Sequence, residues 1–121
     1  MPPGPREDDE VEEVLRRLTR LKVNPTRMAI LLYLLAKGKV PFSELYKELK
    51  VTPGNAWSHL EKMENEGLVK IEKSITRKGV VTYVKITEKG YEKAEEIVSI
   101  MTSLSKLRDS VSGGSEGSEG P

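Results

Sequence analysis

The side chains able to do chemistry are few and unevenly placed. The sequence has one histidine, His59, no cysteine, and no glycine-rich phosphate loop. Without thiols it has no disulfide, no thiolate metal site and no thiol redox couple. His59 has no neighbour at metal-ligand spacing, and the carboxylate runs over 7–13 and 92–96 read as solvated helix faces. A catalytic reading has no constellation to rest on, so the expectation is no catalytic residue, no metal and no cofactor. What remains is hydrogen-bonding or cationic. Thr52, Gly54, Asn55, Ser58, His59 and Lys62 lie within "VTPGNAWSHLEKMENEGLV", and Lys73, Thr76, Arg77 and Lys78 follow shortly after. Side chains of these types grip phosphates and read base edges.

The first set sits on a predicted helix. Thr52 is a good N-cap, Pro53 stands at the first helical position, and Gly67 ends the element. Unrolled at about 100° per residue, Ala56, Leu60 and Met63 fall in one narrow sector and face a core. Gly54, Asn55, Ser58, Glu61 and Lys62 point the other way, with Trp57 and His59 on the flanks. A helix that only needed stability would carry Ala, Glu or Lys there, since Gly costs about 1 kcal/mol in a helix interior. Small polar residues at that end suit a helix laid in the DNA major groove, where backbone amides meet phosphate. Gly54 and Ser58 permit close approach, Asn55 can bond adenine edges, and Ser58 and His59 can reach bases or phosphates. Thr at a cap and Pro at the next position are also ordinary start signals, so this stretch alone leaves a purely structural helix open.

Charge favours the first reading. Residues 1–19 carry 3 basic and 6 acidic side chains, residues 20–87 carry 13 and 6, and residues 88–121 carry 4 and 7. A net charge of +1 over 121 residues thus conceals a basic middle between acidic flanks. Such asymmetry points to a polyanionic partner. No apolar run approaches 18 residues, and "MPPGPREDDE" has no apolar segment after a basic flank. The expectation is a cytoplasmic protein without a membrane partner.

The elements that must position these groups follow from periodicity. Val11, Val14, Leu15, Leu18 and Leu21 recur at helical spacing behind an acidic N-terminus. Asn24 and Pro25 start a second helix, apolar on several faces, that stops at Gly38. "VPFSELYKELKV" gives a short third helix, with Ser43 near its start and Phe42, Leu45, Tyr46 and Leu49 as its apolar stripe. The quoted helix is the fourth. "LVKIEKSI" and "VVTYVKIT" alternate as strands around a basic tip, "TRKG". A short strand near 39–41 can pair with that hairpin. Thr87 caps a long last helix from Glu88 to about Leu107.

A short helix, a tight connector and a helix ending at Gly67 read as a helix-turn-helix, and the hairpin as a wing whose Lys73, Thr76, Arg77 and Lys78 track a minor groove or the backbone. With "TYVKITEKG" closing the wing, the segment from Phe42 onward resembles the winged helix-turn-helix regulators of the MarR/ArsR-like group. It is especially like the small archaeal and bacterial members with a "TPGNLSSHLxKLExxGYVxxxK" recognition helix. The resemblance covers residues 25–108. It implies a dimeric DNA-binding transcription factor with an α+β winged helix-turn-helix fold, extra N- and C-terminal helices, and a long C-terminal one. Thr52, Gly54, Asn55, Ser58 and His59 match its recognition-helix positions, and Arg77 and Lys78 its wing tip. Ala56 and Trp57 depart from it, standing where the family often has Leu and a small residue. Trp57 can fill space left by Ala56, stack on a sugar, or join a protein contact.

Ala94, Ile97, Val98, Met101, Leu104 and Leu107 form an apolar stripe that a single winged domain cannot easily bury. With Val14 and Leu18 of the first helix, Ile97, Val98, Met101 and Leu104 are the expected dimerisation residues. The competing reading packs the two terminal helices together within one monomer. The expected organisation is a disordered 1–6, a winged domain with dimerisation helices over 7–108, and a flexible Gly/Ser/Glu tail over 109–121. Double-stranded DNA and a second copy are the expected partners, with no motif marking a small-molecule effector. A protein-binding winged module and a nonspecific chromatin-like DNA binder stand as alternatives; the basic middle and wing argue against the first, while Glu61, Glu64 and Glu66 leave room for it.

Overall fold

The computed structural model describes residues 7–113. Helix α1 spans Glu7–Leu21, α2 Pro25–Lys37, strand β1 Lys39–Pro41, α3 Phe42–Glu48, and α4 Pro53–Asn65. Strands β2 (Val69–Thr76) and β3 (Gly79–Ile86) form the hairpin, and α5 runs Glu88–Gly113. The chain divides into two compact units: one is Val23–Glu95, and the other joins the two chain ends, up to Lys22 and from Glu96 on.

In the central unit, local signals start and stop the helices as expected. Asn24 Oδ1 accepts the Arg27 N–H at 2.8 Å, capping α2 ahead of Pro25. Thr52 Oγ1 accepts the Asn55 N–H at 3.1 Å, capping α4. Gly67, with φ +78, follows α4 and turns the chain into β2. No side chain caps α3; Pro41 holds that place and Ser43 lies exposed inside the first turn. Between α3 and α4, Lys50 takes the left-handed conformation, with φ +55.

The sheet order is β1-β3-β2, all antiparallel, so the short strand joins the hairpin along its far edge. Ile71 lies opposite Val84, Lys73 opposite Thr82, and Ile75 opposite Val80. The core consists of Ile30, Leu31 and Leu34 of α2 with Leu45, Ala56, Leu60, Met63, Val69 and Val84, all nearly or wholly buried. α2 is apolar on several faces because α4, β1 and β3 pack around it. The Tyr33 hydroxyl donates to Glu44 at 3.4 Å, and desolvation, then the Glu44 and Glu48 charges, raise its pKa.

The start of α5 is pinned to the same core. Thr87 Oγ1 accepts the Gly90 N–H at 3.0 Å while the Thr87 N–H donates to Leu68 O at 3.1 Å. Gly90 is buried against that backbone. A Cβ there would lie 2.0 Å from Leu68 O, so the "TEKG" at the end of the wing is a packing requirement.

In the unit made of the chain ends, Val14, Leu21, Ile97 and Ile100 are buried. Arg17 Nη2 donates to Ser99 Oγ at 2.9 Å, tying α1 to α5. The expected dimerisation set is therefore divided. Val14 and Ile97 are interior residues of the protomer, and Ile100, outside the expected stripe, joins them. Leu18, Val98, Met101 and Leu104 remain exposed, beside Val11 and Leu15. α5 continues past the expected end at Leu107 to Gly113, so the first residues of the expected tail are helical. The remaining tail and the 1–6 segment lie outside the described residues.

Candidate nucleic-acid interface

α4 presents its two faces as the spacing predicts. Ala56, Leu60 and Met63 are fully buried, while Thr52, Gly54, Asn55, Ser58 and Lys62 are exposed and His59 is half-buried. Asn55, Ser58 and Lys62 lie at i, i+3 and i+7, along one outward line. Among the described residues, the Asn55 and Ser58 side chains make no hydrogen bond within the chain. Thr52 is different, since its hydroxyl oxygen already serves the helix cap.

Gly54 is the most informative position. It does not adopt a left-handed φ, and a Cβ added there would meet no atom within 4 Å. Neither backbone geometry nor packing calls for glycine. A residue that weakens a helix by as much as about 1 kcal/mol, with no internal reason for it, fits a surface approached closely from outside.

Trp57 settles among aromatic neighbours. Its ring meets Phe42 edge-on, with centroids 5.4 Å apart, and Phe42 meets Tyr46 at 5.1 Å. The half-buried ring packs at the junction of α3 and α4, in an aromatic pair worth about 1 kcal/mol beyond its burial. Ala56 lies fully buried beside it and lets the two helices approach.

The glutamates that qualified the basic reading are mostly committed elsewhere. Glu66 pairs with Arg27, whose side chain is largely buried. Glu64 Oε2 accepts the Ile71 N–H at 2.8 Å and so ties α4 to β2. Neither link was visible in the sequence, because each joins residues on different elements without a local signature. Glu61 alone of the three has no such duty among the described residues.

At the wing, Arg77 and Lys78 form the turn and are exposed, with Lys73 exposed on the strand leading to it. Thr76 is half-buried and structural: its hydroxyl donates to Gly79 O at 2.8 Å and accepts the Lys78 N–H at 3.1 Å. Gly79, with φ +105, completes the turn in a conformation that L side chains rarely adopt. Thr76 thereby holds the two cations at the tip. The expected site residues thus form two exposed groups, on α4 and on the wing, with Thr52 and Thr76 supporting rather than presenting them. No group of three or more His, Asp or Glu able to hold a metal occurs among the described residues. No described helix is long and apolar enough to cross a membrane.

Comparison with known proteins agrees with this geometry. Residues 26–105 match the family model of the winged helix DNA-binding domain. An uncharacterised protein from Methanocaldococcus jannaschii is 35% identical over 80 residues, covering 66% of this chain and 87% of that protein. The structure of a transcriptional regulator homologue from Pyrococcus horikoshii is 36% identical, with TM-score 0.64 over 85% of this chain and 97% of that one. A mutant of MarR from E. coli, solved with operator DNA, shares the fold at 18% identity, with TM-score 0.65 over 88% of this chain and 74% of that one. This chain belongs to the winged helix DNA-binding family, a family of DNA-binding proteins rather than enzymes, and has the fold of the MarR-type regulators.

Proposed function

We propose that the protein is a cytoplasmic transcription regulator that binds specific duplex sequences as a homodimer. α4 enters the major groove, and the wing follows the adjacent minor groove or backbone. The observation that carries the reading is the outward face of α4: the Asn55 and Ser58 side chains are exposed and make no hydrogen bond among the described residues, and a Cβ on Gly54 would meet no atom within 4 Å. The transcriptional regulator homologue from Pyrococcus horikoshii, at 36% identity, and the likeness in fold to operator-bound MarR support the same assignment.

The dimer rests on Leu18, Val98, Met101 and Leu104, joined by Val11 and Leu15. These six apolar side chains are exposed within one compact unit, at helical spacing on α1 and on α5, which supports an association surface there. A second copy would present the same patch about a two-fold axis and set two α4 helices on successive major grooves. Met101→Glu is expected to convert the dimer to monomer at micromolar concentration in sedimentation experiments, with helix content unchanged. A dimer of undiminished affinity would locate the interface elsewhere.

The reading is tested by selection from a randomised duplex library at near-physiological salt. An enriched palindrome with half-sites about 10 base pairs apart is the expected outcome. Binding without enrichment would mean a nonspecific architectural role, and no binding even at low salt a protein-interaction module. The wing's part is separable. Arg77→Ala with Lys78→Ala should weaken binding to every duplex alike and flatten the slope of log affinity against log salt by about 1.8 per bound protomer. A loss confined to one sequence would contradict a backbone role.

A further inference from the structure

The wing exposes two large apolar side chains that neither its fold nor the basic contacts above account for. Ile75 is 89% exposed and Val80 66% exposed. They are cross-strand partners, the second pair back from the turn, so both project from the same face of the ribbon. With a period of two, that face also carries Val69, Ile71 and Lys73 on β2 and Ile86, Val84 and Thr82 on β3. Val69 and Val84 on it are buried in the core that also receives Ala56, Leu60 and Met63 of α4. The hairpin thus outruns its core, and the face that continues outward is the one toward the helices. Beyond the core this face turns polar at Lys73 and Thr82, as solvated ribbons do. It then returns to two β-branched residues at the point of greatest exposure.

A cross-strand apolar pair adds at most about 1 kcal/mol to a hairpin, and at this exposure it also invites aggregation. Here it is bracketed by Lys73, Arg77 and Lys78, all exposed. A surface that is apolar at its centre and cationic at its rim complements a polyanion whose anionic groups flank an apolar strip. The minor groove of DNA has that character: deoxyribose carbons line its walls between two rows of phosphates. A neutral or acidic protein groove could take the apolar pair but would leave the rim's three cations less well matched.

We infer that Ile75 and Val80 are DNA-contacting residues, packing against the deoxyribose walls of the minor groove while Arg77 and Lys78 hold the phosphates on either side. The inference rests on the DNA-binding reading above and adds to it an apolar, salt-independent contribution from the wing. The pair also limits how the wing can dock, since its apolar face must turn toward the sugars.

The test compares the wild-type protein with Ile75→Ser/Val80→Ser on the randomised duplex pool at low salt and on any duplex enriched from it. Both side chains are exposed and outside the core, so the melting temperature should fall by no more than a few degrees and the protein should stay folded. The expected result is affinity about tenfold lower with an unchanged salt slope, because no phosphate contact is lost. Hydroxyl-radical cleavage, which attacks the deoxyribose from the minor groove, should regain intensity at the sugars that the wild type protects. The exchange Ile75→Val/Val80→Ile, which keeps the apolar surface, should restore both readouts. If the wild type binds and the serine variant binds equally well with the same footprint, the inference is wrong. It is also wrong if the serine variant alters sedimentation instead of the footprint, which would make the pair a contact between copies. Failure of the wild type to bind any duplex would overturn the DNA reading and this one together, a result distinct from both.

Discussion

Replacing Ser58 with glutamate is expected to weaken binding to duplex DNA by about a hundredfold, while the protein melts at its original temperature or slightly above. Ser58 is exposed at the centre of the outward line on α4, one turn after Gly54 and Asn55. A carboxylate there would face the phosphates and the acceptor-rich base edges. Like charges brought together across an interface cost several kcal/mol, and each 1.4 kcal/mol is about tenfold in affinity. Folding has no reason to suffer, because Glu is a somewhat better helix former than Ser and the side chain meets solvent. Fluorescence anisotropy with a labelled duplex, beside a thermal melt followed by circular dichroism, separates the two effects. Ser58→Ala is the size control and should change affinity far less. If Ser58→Glu binds as well as the wild type, α4 does not present this face to DNA.

The second large effect concerns folding. Gly90→Ala should destabilise the protein by about 3 kcal/mol, although alanine normally favours a helix by about 1 kcal/mol over glycine. The added methyl would lie 2.0 Å from the carbonyl oxygen of Leu68 and 3.0 Å from Ile86 Cγ1. The first obstacle is backbone, held in place by the Thr87 N–H, so it cannot rotate away as a flexible side chain would. Relief requires the start of α5 to lift from the sheet. Urea denaturation should register the loss as a lower midpoint with an unchanged slope. Gly54→Ala is the matched comparison: with no atom near its added methyl, it should leave stability equal or raise it slightly. Equal effects at the two positions would show that propensity, not the close approach at Leu68, governs both.

The parts of the fold written in short-range chemistry were readable before any coordinates. Asn24, Thr52 and Thr87 each precede a helix and each provides an oxygen to its first turn. Gly38 and Gly67 take positive φ where helices must stop. The alternation in "LVKIEKSI" and "VVTYVKIT" gave the hairpin and its register sense, and the short strand at 39–41 found its place beside β3. The parts that failed share a different cause. Periodicity tells which residues of a helix share a face, not which neighbour covers that face. α5 has apolar residues on more than one side, so spacing alone leaves open whether a partner or the same protomer covers Val14 and Ile97, and it does not single out Ile100; all three are buried within the protomer. The wing shows the same gap. Alternation places Ile75 on the core-facing side of β2, but nothing local says that the strand has by then left the core behind.

For the site, residue type indicated which groups were polar but not which were occupied. Thr52 and Thr76 look as available as Asn55 and Ser58 in the sequence. Their hydroxyls are engaged by backbone groups three residues away or fewer, a competition that polar residues near turns and caps commonly win. Glu64 and Glu66 look like free surface charge that would repel DNA, yet each is tied to a partner on another element.

The bond from Ile71 to Glu64 has a consequence for how copies of this protein can meet. β2 forms one margin of the sheet, and its outward N–H at Ile71 is the kind of group onto which a strand from another molecule adds. Glu64 already occupies it. The opposite margin is β1, only three residues long and ending in Pro41, which has no N–H to offer. β1 is thus blunted along its short length and β2 at Ile71, where the strand leaves the core. Strand addition is thus hindered at Ile71 and along β1, which accords with the proposed self-association through the helices.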